Sequence, residues 1–202
     1  MVLAIGAEPL TLPLSGPCII PIEQVLDIDL LKKICTEDDT VAVFGSSHTA
    51  IIALYNLIAV GAKIINFYRS PLKYAVYFDD WILFDNSGLK GYSAEWAKLN
   101  IDKNKVPNLK RMLVTDDSFK ETFATCSKAI YAVGFERRKS IVILPYNNLK
   151  YDEKTGIIAS GLFGLGIAFP QGRFDRLGNY EYNVGLWKFM SYLDEILPTW
   201  LA

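Results

Sequence analysis

Thr40-Val41-Ala42-Val43-Phe44-Gly45-Ser46-Ser47-His48-Thr49-Ala50 is the stretch on which the reading of this chain turns. Its first five residues are apolar or β-branched and have the length of a strand buried on both faces. Gly45 to His48 is short and polar, as a tight turn is. From Thr49 to Val60 the alanines, leucines and isoleucines run on too long for a buried strand, so the spacing predicts a helix. Gly61 is placed to close it as a C-cap glycine. Lys63-Ile64-Ile65-Asn66-Phe67-Tyr68 then reads as a second buried strand. The three together predict one β-α-β unit with a right-handed crossover.

Outward from this unit the pattern alternates. Met1 to Ile5 reads as a short strand, followed by a proline-punctuated loop with Pro9, Pro13, Pro17 and Pro21. Ile22 to Cys35 has helical spacing. Downstream, Asn108 to Val114 and Lys128 to Gly134 read as strands, with helices over Ser87 to Asn100 and Asp116 to Ala124. Ile157 to Phe169 is apolar and glycine-rich, which implies close backbone approach to a neighbour. Gly185 to Leu197 is amphipathic and is expected to end at Pro198.

The turn carries the chemistry. At the mouth of a β-α-β unit the helix start presents unpaired N–H groups and the positive end of its dipole, and both attract an anion. The usual dinucleotide fingerprint is G-x-G-x-x-G or G-x-G-x-x-A. The six residues here are Gly45-Ser46-Ser47-His48-Thr49-Ala50: first glycine kept, second replaced by Ser47, third by the small Ala50. An acid that would accept from a ribose 2′-hydroxyl is missing from the end of the second strand. Arg69 and Ser70 stand there instead, the residue types that suit a 2′-phosphate, so NADP(H) is favoured over NAD. The structural alternatives are an ordinary crossover with no ligand and a surface cation at Arg69. His48 is the only histidine. It could act as acid or base, or it could cap and pack.

Composition excludes several classes. The chain has 202 residues, 51% hydrophobic and 21% charged, with a net charge of −1. That balance is globular and lacks the basic excess of a nucleic-acid binder. Arg137-Arg138-Lys139 is the longest basic cluster and reads as a solvated turn or a single phosphate contact. Cys18, Cys35 and Cys126 are dispersed, with no C-x-x-C, which argues against a disulfide framework or a redox dithiol. Apolar runs reach roughly a dozen residues, whereas a membrane span needs about 20. With no signal-peptide pattern, a soluble cytoplasmic protein is expected. A G-x-S-x-G nucleophile elbow fails because Thr49 replaces its last glycine and the lone histidine is adjacent to Ser47. A metal site fails for want of a His/Cys cluster.

The chain resembles flavin-containing monooxygenases and the wider two-dinucleotide-binding pyridine nucleotide oxidoreductases. Leu3-Ala4-Ile5-Gly6-Ala7-Glu8-Pro9 looks like the A-T-G-x-x-P crossover from flavin to nicotinamide domain. Val41 to Arg69 looks like the nicotinamide core, and Tyr131-Ala132-Val133-Gly134-Phe135 looks like the return crossover. The resemblance implies an α/β fold: a Rossmann-like nicotinamide-binding core with a parallel sheet, plus a remnant of the C-terminal part of a flavin domain. It implies a crossover and linker helix over 1–35, the dinucleotide domain over 36–138, and the remnant over 139–202. The cofactor-binding set is Gly45, Ser46, Ser47, His48, Thr49, Arg69, Ser70 and Gly134.

The family's N-terminal flavin-binding unit and its later G-D motif are not found, so FAD does not follow from this chain alone. No catalytic residue is assigned. The reading is an NAD(P)H-binding oxidoreductase-like protein. A second copy or a partner chain would cover the side that normally meets the flavin half. The alternatives are a non-catalytic module retained for interaction, and a glycine-rich tail that completes a remodelled flavin site.

Overall fold

The computed structural model describes residues 1–138 and 149–202; Lys139 of the basic cluster lies outside the described residues. In chain order the elements are β1 (Val2–Leu3), β2 (Ala7–Pro9), β3 (Cys18–Ile19), α1 (Ile22–Leu26), α2 (Ile28–Ile34), β4 (Thr40–Phe44), α3 (His48–Val60), β5 (Lys63–Tyr68), β6 (Val76–Tyr77) and β7 (Ile82–Leu83). Then come α4 (Gly91–Asn100), β8 (Leu109–Leu113), α5 (Phe119–Ala124), β9 (Lys128–Tyr131), β10 (Phe135–Arg137), β11 (Ile157–Ala159), β12 (Leu162–Gly164), β13 (Gln171–Phe174), β14 (Tyr180–Asn183) and α6 (Leu186–Leu201). They form two compact units. One comprises Pro9–Ala75 and Ser87–Gly134, the other Met1–Glu8, Val76–Asn86 and Phe135–Ala202.

The first unit is built on a five-stranded sheet in the order β3-β9-β4-β5-β8, and every pairing in it is parallel. Side chains alternate across it, as the period of two requires. Val41, Val43 and Ile64 join the cluster of α1, α2, α3 and α4; Ala42, Phe44, Ile65 and Phe67 join that of α5. The fold is therefore α/β, with helices on both faces. The strand order reverses between β4 and β9, because β5 and β8 extend to one side and β9 returns on the other. A crevice opens at the carboxyl ends of the strands at such a switch point.

The helix read over Ile22 to Cys35 is two helices. Asp27 is extended (φ −101°, ψ 109°), and its carboxylate accepts from the N–H groups of Asp29 and Leu30. An aspartate prefers this capping role to a helix interior, while the apolar period runs on across the break. Residues 9–35, expected as a crossover and linker, belong to the unit of the five-stranded sheet, where β3 forms its edge. Residues 76–86, expected in the dinucleotide domain, belong to the other unit.

The second unit holds the sheet β1-β12-β11, the pair β2-β10, the hairpins β6-β7 and β13-β14, and α6. The neighbour that the glycine-rich segment approaches is its own Phe169, since a Cβ on Gly164 would lie 2.3 Å from that ring. Leu162, Ala168 and Phe169 are buried, so this segment belongs to the core of its unit. On α6 the outer side chains do remain exposed, Leu186 and Trp187 above all.

The helix α6 does not end at Pro198 but runs through it to Leu201. Pro198 and Asp194 are both exposed, so the hydrogen bond that proline forfeits falls on the solvent side. Trp200 holds the last turn: its Nε1–H donates to the Thr155 carbonyl at 2.6 Å and its ring stacks on Phe163 at 4.8 Å. No helix among the described residues is long and apolar enough to cross a membrane.

Candidate functional site

A crevice of about 660 Å³ lies at the carboxyl ends of β4, β5, β8 and β9. Gly45, Ser46 and Ser47 form one side, Arg69 and Ser70 a second, and Ala132 to Gly134 a third. Its floor is apolar, with the rings of Phe44 and Phe67 stacked at 5.1 Å and Phe119 edge-on to both.

Gly45 leaves β4 with φ +126°, a left-handed value that favours glycine. A Cβ there would lie 2.3 Å from the Ala132 carbonyl oxygen, so the strand-to-helix turn closes on β9 only because there is none. The Gly45 N–H donates to the Phe67 carbonyl at 2.9 Å. Ser47 occupies the N-cap of α3, in extended conformation, yet its hydroxyl makes no capping bond. The first intrahelical bond is the Ile51 N–H to the Ser47 carbonyl. The N–H groups before it have no intrahelical acceptor, and no acidic residue sits in the first turn. This helix start is electrostatically open to an anion.

Of the residues expected from the sequence, Gly45, Ser46, Ser47, Arg69, Ser70 and Gly134 line this crevice, and His48 and Thr49 do not. The His48 imidazole is engaged elsewhere: its Nε2 accepts from the Lys90 N–H at 3.0 Å, at the N-cap of α4. His48 thus serves as a capping acceptor for α4. The capping alternative is the one that the geometry matches. Adjacent Ser47 and His48 thus face different tasks, and among the described residues no serine–histidine hydrogen bond is found.

Two parts of the site were not singled out in the sequence. Leu10 to Leu14 borders the crevice, and Leu12 and Leu14 pack against the α5-side core. Their alternation within a proline-rich stretch was the available signal. Asn66, 1% exposed, sits in the middle of β5, and a lone amide inside an otherwise apolar strand was the other signal. Cys35 and Cys126 are buried. Burial, and then the nearby Asp39 carboxylate, push the Cys35 thiol up to about 11, away from nucleophilic character. Among the described residues no group of His, Cys, Asp and Glu comes together as a metal site.

The chain is 33% identical to the monooxygenase AgnR1 of Paecilomyces divaricatus over 236 aligned residues, which cover 100% of this chain and 60% of that protein. It is a homologue of that monooxygenase. No protein-family model matches it. Among solved structures, a pyridine nucleotide-disulfide family oxidoreductase from Enterococcus faecalis superposes with a TM-score of 0.55 at 14% identity, over 95% of this chain and 46% of that one. An engineered water-forming NADPH oxidase bound to NADPH gives 0.52 at 13% identity, over 95% and 44%. Reduced CoADR-RHD of Bacillus anthracis gives 0.53 at 10% identity, over 98% and 37%. At these identities the likeness is one of fold. This monooxygenase homologue has the α/β architecture of part of the pyridine nucleotide-disulfide oxidoreductases, and it spans 60% of its curated relative and less than half of each of these structures.

Proposed function

We propose that this chain is the NAD(P)H-binding portion of an oxidoreductase of the flavin- and pyridine-nucleotide-linked type, with NADPH preferred over NADH. The observation that carries this reading is the crevice at the switch point, bordered by an uncapped helix start and by Arg69 and Ser70. The residues suit the cofactor. A pyrophosphate needs a turn without a Cβ and a cluster of N–H donors, and Gly45 and the first turn of α3 supply both. A 2′-phosphate needs a cation and a hydroxyl at the end of β5, where Arg69 and Ser70 are exposed and line the crevice. The monooxygenase relative and the NADPH-bound oxidase of like fold add support.

A reduced nicotinamide bound there supplies a hydride. The chain's own part is to hold and orient it: the turn fixes the pyrophosphate and the Phe44–Phe67 floor excludes water. FAD is not assigned to this chain. Among the described residues of the second unit, the one helix, α6, follows the antiparallel β13-β14 hairpin rather than a parallel strand, although a glycine, Gly185, does stand at its N-cap. The exposed Leu186 and Trp187 on α6 favour, as the second reading, a surface kept for a second copy or a partner chain.

Tryptophan fluorescence should be followed on titration with NADPH and with NADH, beside an absorbance scan for flavin. Saturable binding is expected, tighter for NADPH. Arg69→Ala should weaken NADPH by about tenfold, the worth of one charge-assisted contact, and leave NADH nearly unchanged. No saturation by either nucleotide at millimolar concentration would leave only the interaction reading.

A further inference from the structure

Asn66 and Arg111 form a chain of side-chain hydrogen bonds beneath the Gly45 turn. The two residues are register partners on β5 and β8, and Asn66 is in turn the register partner of Val43 on β4. The Asn66 Nδ2 donates to the Val43 carbonyl at 3.0 Å and to the Gly45 carbonyl at 2.9 Å. Its Oδ1 accepts from the Arg111 Nε–H at 2.9 Å. The Arg111 guanidinium lies over the Tyr68 ring at 4.2 Å, and one of its terminal nitrogens, Nη2, is buried with no hydrogen-bond partner among the described residues. A leucine or methionine would fill that place without an unmet donor. What arginine adds is the Nε–H.

We infer that Arg111 is a positioning residue for the dinucleotide turn and acts through Asn66; this rests on the nucleotide-binding reading above. A carboxamide can rotate by half a turn and exchange its oxygen and nitrogen. The Nε–H of arginine can only donate, so it holds Oδ1 on its own side. The amide NH₂ is thereby turned toward Gly45. The Gly45 carbonyl is drawn into the sheet, and in a trans peptide the N–H lies opposite the carbonyl. The Ser46 N–H is therefore aimed away from the sheet, on the side where Ser46 lines the crevice. Glycine permits the opposite peptide orientation. In that orientation the turn would offer a carbonyl oxygen to a phosphate, and the anion site would be lost. The Arg111–Asn66 pair holds the peptide in the orientation that presents the Ser46 N–H as a donor.

The test is Arg111→Met, which keeps the stem and removes the donors, set beside Arg69→Ala. Affinities for NADPH and NADH are measured with the amide spectrum of the turn. Arg111→Met should weaken both nucleotides by the same factor, about tenfold, and leave their ratio at the wild-type value, whereas Arg69→Ala changes the ratio. Duplicate or shifted Gly45 and Ser46 resonances should appear, with hydrogen-exchange protection in β4 and β5 unchanged. Unaltered affinities and unaltered turn resonances would overturn the inference. So would a loss of β4 and β5 protection, because Arg111 would then merely hold the sheet. If the wild-type protein binds neither nucleotide, the proposed function fails. The relay is then judged on the Gly45 and Ser46 resonances alone: duplication or shift in Arg111→Met sustains it, and an unchanged turn removes it.

Discussion

Gly45 is where two constraints meet on one residue. Its φ of +126° is strained for any residue with a Cβ, and the Cβ itself would press on the Ala132 carbonyl oxygen. Backbone strain of this kind costs about 1–3 kcal/mol, and overpacking against main chain adds a similar amount. Gly45→Ala should therefore lose about 3 kcal/mol or more of unfolding free energy, measured by denaturant titration at constant slope. A variant as stable as the wild type would mean that the turn relaxes without β9. The need for glycine at this position was legible from the sequence, because the first glycine of the fingerprint serves the tight strand-to-helix turn itself. The destination of the His48 side chain was not. Its partner, the Lys90 N–H, lies far along the chain, and no local pattern announces such a pairing. Asn66 was written into the sequence as an oddity, but its role depends on the register that places it between Val43 and Arg111.

Elements buried on both faces were the most legible. Strands β4 and β5 begin and end at the residues the sequence indicates, and α3 ends at Gly61, whose φ is +89° and whose N–H bonds back to the last turn. In these segments hydrophobic pattern, length and turn chemistry agree. Where one local rule opposes a tertiary contact, the contact wins. Asp27 divides a helix that the apolar period would join, and Trp200 carries α6 past a proline that should end it. The second case is testable. Trp200 is 9% exposed, packs on Phe163 and Tyr192, and donates to the Thr155 carbonyl. Trp200→Ala should cost about 3–5 kcal/mol, the usual loss for a buried aromatic. The helix should then end near Pro198, seen as amide exchange in the last turn together with lost protection at Gly156 and Ile157. Retention of the full helix would show that Pro198 is tolerated without the tryptophan anchor.

At the scale of the whole molecule, each compact unit is assembled from separate stretches of chain, and this is the level the sequence conveyed least. The borders at 35 and 138 are those the family resemblance implies, whereas the units follow contacts made by β3, which closes the sheet edge, and by the β6-β7 hairpin. Long-range joins of this sort depend on a few polar groups. Asp39, just before β4, accepts from the Thr36 N–H, from the Ser127 hydroxyl and from Lys128 on β9, the last at 2.5 Å. Burial alone would raise its pKa. The hydrogen bonds from Lys128, Thr36 and Ser127 together outweigh that, and the carboxyl is held down to about 2. A folded-state pKa below the unfolded value contributes stability that is complete above the ordinary aspartate range and is lost as pH falls through the folded value. The contribution therefore stands in full at neutral pH, declines from about pH 4 and is gone only below about pH 2. A depression of this size corresponds to about 2 kcal/mol. The unfolding free energy of Asp39→Asn should be lower by about that amount at pH 7 and should meet that of the wild type only below about pH 2. Denaturant midpoints measured across this range would show the two curves converging. Parallel curves would mean that Lys128 and Ser127 find other partners, and that the join between β4 and β9 rests on the backbone ladder alone.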